Sequence, residues 1–120
     1  PTFIQRAGQY VLENDLESVR KMMTAYRDRI DYMFESLNEI PGITCVKPEG
    51  AFYLFANINK NGMSSYGFAT FALEKAGIAL LPGNNFGRNG EGFVRICCAI
   101  SMERLQESVA RLSKALSMLK

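Results

Sequence analysis

Residues 73–99, LEKAGIALLPGNNFGRNGEGFVRICCA, contain the end of a helix, two apolar segments and a glycine-rich connection between them. Gly77 closes a helical pattern and is followed by an apolar residue, the arrangement of a helix C-terminal glycine. The apolar run 78–81 predicts a buried strand, and residues 93–99, which begin with β-formers, predict another strand. The stretch therefore predicts a helix followed by two strands that a long loop connects.

Two helices and two strands are predicted before this stretch. Residues 3–13 and 15–39 have apolar side chains at helical spacing, and Asp15 is a suitable N-cap for the second helix. Residues 43–46 and 51–56 predict two tightly joined strands, which form a hairpin. The stripe of the long helix is explained better by core packing than by a coiled coil; its members are Val19, Met23, Tyr26, Ile30, Met33 and Leu37.

Serines mark the start of the two remaining helices. Ser64 or Ser65 caps the helix that ends at Gly77, and Ser101 caps a last helix with Glu103 in its first turn. The pattern predicts an α+β fold, a two-layer sandwich with a roughly four-stranded sheet and helices packed mainly on one face. The last helix has its own apolar stripe, made of Leu105, Val109, Leu112, Leu116 and Leu119.

Composition excludes several functional classes. The chain has 120 residues, which corresponds to one domain, and its net charge of +2 is too small to indicate a nucleic-acid or membrane partner. No apolar run approaches the roughly 18–20 residues of a membrane span. Cys45 and the adjacent pair Cys97 and Cys98 fit reduced thiols in a cytoplasmic protein. Histidine is absent, so neither a metal site nor a catalytic base is predicted within the chain.

The glycine-rich loop does not match a phosphate-binding motif. A P-loop requires Gly-Lys-Ser/Thr at the start of a helix, whereas Gly87 is followed by arginine and later by a strand. A dinucleotide fingerprint starting at Gly90 would require glycine at position 95, where the sequence has arginine. The loop is therefore interpreted as a surface connection. Tyr53 and Tyr66 have hydroxyls that could serve a site, but aromatic residues in strands and at helix starts usually pack, and both are interpreted as packing residues.

Arg95 is the most informative residue of the chain. It lies in a strand that is apolar at both alternating sets of positions, so we expect the strand to be covered on both sides. A guanidinium there requires an anion or a route to water. It could pair with an Asp or Glu of a neighbouring helix, extend to the sheet edge, or bind the carboxylate or phosphate of a ligand.

Three motifs, PEGAFYLF at residues 48–55, AGIALLPGNNFG at 76–87 and VRI at 94–96, occur in an order and spacing that resemble one enzyme family. They are similar to the C-terminal small domain of class I/II aminotransferases, the fold-type I enzymes that use pyridoxal phosphate. The resemblance covers nearly the entire chain, so we expect residues 1–120 to be that small domain. It implies that the parent protein transfers an amino group between an amino acid and a 2-oxo acid.

The resemblance also implies roles for particular residues. The family's arginine in the last strand binds the α-carboxylate of the substrate, and Arg95 is at the matching position. Phe52 matches an aromatic residue close to that carboxylate, and residues 82–87 match a segment near the active-site mouth. No residue of this chain matches a catalytic or cofactor-binding position.

The remaining active-site parts of the family lie in a larger cofactor domain. The family's Schiff-base lysine precedes a G-x-R-x-G stretch, and no lysine of this chain has that setting. We therefore expect the chain to be a fragment that is inactive alone and binds no pyridoxal phosphate, whereas the intact enzyme is a homodimer that does. The alternatives are an autonomous module that binds a small carboxylate, or the same domain of a related pyridoxal-phosphate lyase or synthase.

Overall fold

The computed structural model describes residues 1–14 and 16–119, so the predicted N-cap Asp15 lies outside the described residues. Short 3₁₀ turns occupy residues 59–61, 83–86 and 88–90. The helices and strands confirm the predicted element order. They are α1 (Thr2–Asn14), α2 (Leu16–Glu39), β1 (Thr44–Cys45), β2 (Tyr53–Asn57), α3 (Ser65–Ala76), β3 (Leu81–Pro82), β4 (Phe93–Cys97) and α4 (Met102–Ser117).

The four strands form one antiparallel sheet in the order β1-β2-β4-β3. Strand β4 is paired on both sides, so that Arg95 lies opposite Phe55 of β2 and opposite Leu81 of β3. Helices α2, α3 and α4 contact one another or the sheet. The α+β two-layer fold predicted from the sequence is confirmed.

The core lies between the helices and one face of the sheet. Alternate residues of the two central strands point into it, because side chains along a strand alternate between the two faces. Phe68 of α3 is completely buried against them. The sheet contributes Leu54, Ala56, Val94 and Ile96, Cys98 follows directly after β4, and the helices contribute Ile30, Met33, Leu37, Phe68, Ala72, Leu105, Leu112 and Leu116.

Two predictions about the strands are wrong. The buried strand expected at 78–81 pairs with β4 only at Leu81 and Pro82, and Leu81 is 44% exposed. This strand is at the sheet edge, where proline is tolerated because its missing N–H is not needed for pairing. The expected cover on both sides of β4 is also absent, since the described helices pack on one face and leave Cys97 exposed.

The predicted hairpin and helical stripes are confirmed in part. Strands β1 and β2 pair as an antiparallel hairpin, but residues 46–52 connect them, so the connection is not tight. The α2 stripe is buried only towards its C-terminal end, because Met23 is 56% exposed. Helix α1 has no buried residue, and no helix among the described residues is long and apolar enough to cross a membrane.

The two serines at the start of α3 have different roles. Ser64 is the N-cap and accepts a hydrogen bond from the backbone N–H of Gly67 at 3.1 Å. Ser65 is completely buried, and its hydroxyl accepts from the N–H of Gly92 at 2.8 Å and of Phe93 at 3.3 Å. The same hydroxyl donates to the Gly90 carbonyl at 3.3 Å. Ser65 therefore connects α3 to the end of the glycine-rich loop.

We expect Ser65→Ala to lower the free energy of unfolding by about 1–3 kcal/mol, because it leaves buried backbone groups without their partner. The control is Ser117→Ala, which removes an exposed hydroxyl bonded only within its own helix and should change stability by less than about 0.5 kcal/mol. Chemical denaturation measures both. Equal stability of the two variants would contradict the structural role of Ser65.

The thiol of Cys98 is completely buried in the core. Burial, with smaller contributions from the nearby Cys97 and Cys45 thiols, raises its pKa from 9.0 to about 12, and Arg29 opposes this rise. Burial also raises the pKa of Cys45. In the folded protein, Cys98 therefore stays protonated at pH values at which an unfolded chain would ionise it.

This difference predicts a loss of stability in alkali. Below about pH 9 the Cys98 thiol is protonated in both states, and between pH 9 and 12 only the unfolded state loses the proton, so its contribution falls by about 1.4 kcal/mol per pH unit. We expect Cys98→Ala to reduce the slope of unfolding free energy against pH in this range, whereas Ser117→Ala, which removes an exposed hydroxyl, leaves that slope unchanged. Parallel slopes for wild type and Cys98→Ala would contradict the prediction.

Candidate functional site

The sheet surface opposite the helices is called the open face here; it is formed by Tyr53, Phe55, Phe93, Arg95 and Cys97. Arg95 is half-buried, while its neighbours Val94 and Ile96 are buried on the helix side. Alternation along β4 therefore separates the guanidinium from the core. The surface around it is aromatic, with Phe55 and Phe93 stacked at a centroid distance of 5.1 Å.

The Arg95 guanidinium contacts two aromatic rings. Its Cζ atom lies 4.3 Å from the ring centroid of Tyr53 and 4.4 Å from that of Phe86. Among the described residues, the ion pairs within 4.0 Å join other side chains, and no carboxylate pairs with Arg95. The expected alternative of a partner Asp or Glu is therefore not realised in the part of the chain that the structure describes.

Phe52 contacts Tyr53 and Tyr26, and no described ring or ion-pair contact joins it to Arg95. Its ring centroid is 4.4 Å from that of Tyr53 and 5.3 Å from that of Tyr26 on α2, with which it is stacked. A cavity of about 520 Å³ adjoins Phe52 between α2 and residues 47–52. Ala51, just before Phe52, has a φ of 63°, a left-handed conformation that costs a non-glycine residue roughly 1 kcal/mol.

The glycine-rich loop packs against the sheet and places Phe86 next to Arg95. The backbones of Gly83 and Gly90 are so close that a Cβ on either one would overlap the carbonyl of the other. Phe86 meets Phe55 edge-on at a centroid distance of 6.2 Å. The interpretation of the loop as a surface connection holds for its exposed residues, but its two buried glycines serve close packing.

The side chains of the open face can bind an anion, but they do not include the groups that a complete pyridoxal-phosphate site needs. The open face provides one guanidinium beside aromatic rings, and no lysine belongs to it. No group of three or more histidine, cysteine or acidic side chains that could hold a metal was found among residues 1–14 and 16–119. A planar guanidinium without an acidic partner matches a carboxylate, which it binds through two parallel hydrogen bonds.

The contact of Tyr53 and Phe86 with Arg95 was missed at the level of sequence. Tyr53 was interpreted as packing, and Phe86 was noted only as part of a motif. The pairing of β2 with β4 places Tyr53 opposite Cys97, diagonal to Arg95 and on the same face. Alternation in two correctly paired strands would identify Tyr53. The resemblance places residues 82–87 near the active-site mouth, but nothing in the loop sequence indicates that Phe86 contacts Arg95.

Comparison with known proteins gives a consistent result. Residues 1–112 match the family model described as aminotransferase class I and II. The chain is 44% identical over 117 residues to an aspartate aminotransferase of Pyrococcus horikoshii, a match that covers 96% of this chain and 30% of the relative. The chain thus spans about a third of the length of that relative.

Solved structures agree with this match. The crystal structure of the aromatic aminotransferase from Pyrococcus horikoshii OT3 superposes with a TM-score of 0.94 at 38% identity, over 98% of this chain and 32% of that one. Cystalysin from Treponema denticola, whose structure contains pyridoxal 5′-phosphate, superposes with a TM-score of 0.84 at 25% identity over 92% of this chain and 28% of that one.

The close approach of the two loop glycines generates a prediction. Gly90→Ala inserts a methyl group against the Gly83 backbone, and we expect it to lower the free energy of unfolding by about 1–3 kcal/mol through overpacking. Gly50→Ala is the control, since nothing lies within 4 Å of a Cβ at that position. Chemical denaturation measures both variants. A Gly90→Ala protein as stable as Gly50→Ala would show that the loop does not depend on this contact.

Proposed function

Because the chain belongs to the aminotransferase class I and II family, we propose that residues 1–120 are the small, C-terminal domain of a pyridoxal-phosphate-dependent aminotransferase. In this proposal Arg95 binds the α-carboxylate of an amino acid or of the corresponding 2-oxo acid. Phe52 lies near that carboxylate and supports the site. The open face then faces the part of the enzyme that holds the cofactor.

One observation supports this assignment above the others. Arg95 is a half-buried cation among aromatic residues and has no carboxylate partner among the described residues. Leaving such a group without an anion is unfavourable, whereas a substrate carboxylate would satisfy its fork of N–H donors. The carboxylate of an aminotransferase substrate would therefore supply the anion that no described residue provides to Arg95.

Arg95 has a positioning role in this reaction. Two parallel hydrogen bonds to a carboxylate fix both its distance and its plane, and thereby orient the Cα–H bond of the amino acid. The aromatic surroundings exclude part of the water, which strengthens the ion pair. In this proposal the open-face residues bind and orient the substrate and do not move the proton at Cα.

The rest of the active site belongs, in this proposal, to residues outside this chain. Pyridoxal phosphate, when bound, withdraws electrons from the bonds at Cα and so makes the proton there removable. Its lysine and its phosphate-binding groups would come from the remaining two-thirds of the length that relatives have. The chain alone would then be inactive and would bind no cofactor, and the intact enzyme would be a cytoplasmic homodimer.

The same domain of a related pyridoxal-phosphate lyase or synthase is the second candidate. A residue that only anchors the α-carboxylate serves amino-group transfer and elimination equally well. Incubating the intact enzyme with a range of L-amino acids separates the two candidates. Consumption of a 2-oxo acid acceptor in proportion to product indicates transfer, whereas release of ammonia without an acceptor indicates elimination.

The proposal predicts a large effect of Arg95→Lys in the intact enzyme. The substitution keeps the charge and loses the bidentate fork, so we expect kcat/KM for the amino donor to fall roughly 10- to 150-fold, which corresponds to about 1.5–3 kcal/mol. The matched control is Arg88→Lys, at an exposed arginine of the glycine-rich loop, which should leave kcat/KM within about twofold. Steady-state kinetics with every accepted amino donor measures both variants.

An unchanged kcat/KM for all donors in Arg95→Lys would overturn the carboxylate assignment. The autonomous-module alternative makes the opposite prediction for the 120-residue chain. It requires measurable binding of free amino acids in calorimetry with no cofactor domain present, and loss of that binding in Arg95→Lys. Such a result would replace the aminotransferase proposal.

A further inference from the structure

The two rings that contact Arg95 come from separate elements of the fold. Tyr53 is the first residue of β2, while Phe86 ends the 3₁₀ turn of residues 83–86 in the glycine-rich loop. Both approach the same Cζ atom, at 4.3 and 4.4 Å from their ring centroids. Since the strand and the loop are brought together only by folding, this arrangement is made by residues of the folded domain itself.

In each contact the Cζ atom of Arg95 lies over the ring, and no ion pair among the described residues occupies the guanidinium. A guanidinium has five N–H donors in its own plane, and a cation–π contact consumes none of them. A salt bridge to an Asp or Glu would immobilise the side chain equally well but would occupy the edge that a carboxylate needs. The two rings therefore restrict Arg95 without competing with an anion.

Each ring is supported by further aromatic residues. Tyr53 lies 4.4 Å from the ring of Phe52, which in turn stacks on Tyr26 of α2 at 5.3 Å. Phe86 meets Phe55 edge-on at 6.2 Å. Aromatic contacts at these distances stabilise the fold beyond the area that they bury. Aromatic contacts thus link Arg95 through Tyr53 to α2 and through Phe86 to Phe55 of β2.

We propose that Tyr53 and Phe86 are positioning residues that hold the Arg95 guanidinium in its carboxylate-binding orientation before the substrate arrives. This inference rests on the proposed function of Arg95 and adds a cause for its affinity. An arginine side chain that is free to rotate loses rotamer entropy when it binds a ligand. The ring pair removes part of that loss in advance, which is preorganisation of the site.

The role of the ring pair can be tested without turnover. In the 120-residue chain, the side-chain Nε–H and Cδ protons of Arg95 should show upfield ring-current shifts in NMR spectra. Phe86→Leu removes one ring at a position that is 49% exposed, so the domain is expected to remain folded. We expect this variant to reduce those shifts, and Phe86→Tyr to retain them. Tyr66→Leu is the matched control at an aromatic residue that is 71% exposed.

The same variants have a kinetic signature in the intact enzyme. We expect Phe86→Leu and Tyr53→Leu each to raise KM for the amino donor roughly two- to fivefold, as the loss of one cation–π contact suggests. The effect on kcat should be smaller. Phe86→Tyr and Tyr53→Phe keep a ring and should restore KM, whereas a purely structural role would lower stability without such a rescue.

The outcomes separate this inference from the function on which it rests. If Arg95→Lys lowers kcat/KM but Phe86→Leu changes neither the Arg95 resonances nor KM, the ring pair does not position the guanidinium and the inference is overturned. If the leucine variants shift the Arg95 resonances while Arg95→Lys leaves kcat/KM unchanged, the carboxylate role itself fails. Changes in both experiments, with rescue by the ring-keeping variants, support both proposals.

Discussion

The alternation of side chains along β4 is the constraint on which the rest of the structure depends. Because β4 is paired on both edges, its residues cannot change face without breaking two sets of backbone hydrogen bonds. Val94 and Ile96 are therefore fixed in the core, and Arg95 between them is fixed on the open face. The stability of the sheet and the location of the only guanidinium on that face have a common cause.

An arginine without an acidic partner normally faces water, yet Arg95 is half-buried. Two ring faces compensate part of the hydration that it loses, because the quadrupole of each ring attracts a cation. This compensation is weaker than that of a buried ion pair. A weaker internal partner is what a binding residue requires, since a carboxylate of this chain paired with Arg95 would compete with the ligand.

The sequence predicts the features that local periodicity determines, namely the order of helices and strands and the α+β class. It does not predict whether helices pack on one face of the sheet or on both. Apolar residues on both faces of β4 fit two helical layers, but they fit equally well one helical layer with an aromatic surface on the opposite face. Nor does the sequence predict the contact of Phe86 with Arg95. That contact depends on the close approach of Gly83 and Gly90, a long-range feature with no periodic signal.

The glycine-rich loop connects the stability of the domain to the geometry of the candidate site. Ser65, buried at the start of α3, binds the backbone of Gly90, Gly92 and Phe93, and Gly90 packs on Gly83 at the beginning of the turn that ends in Phe86. A hydroxyl in the core thereby helps to determine where an exposed ring lies. The loop has few apolar anchors of its own, so the position of Phe86 beside Arg95 depends on these backbone contacts rather than on burial of the ring.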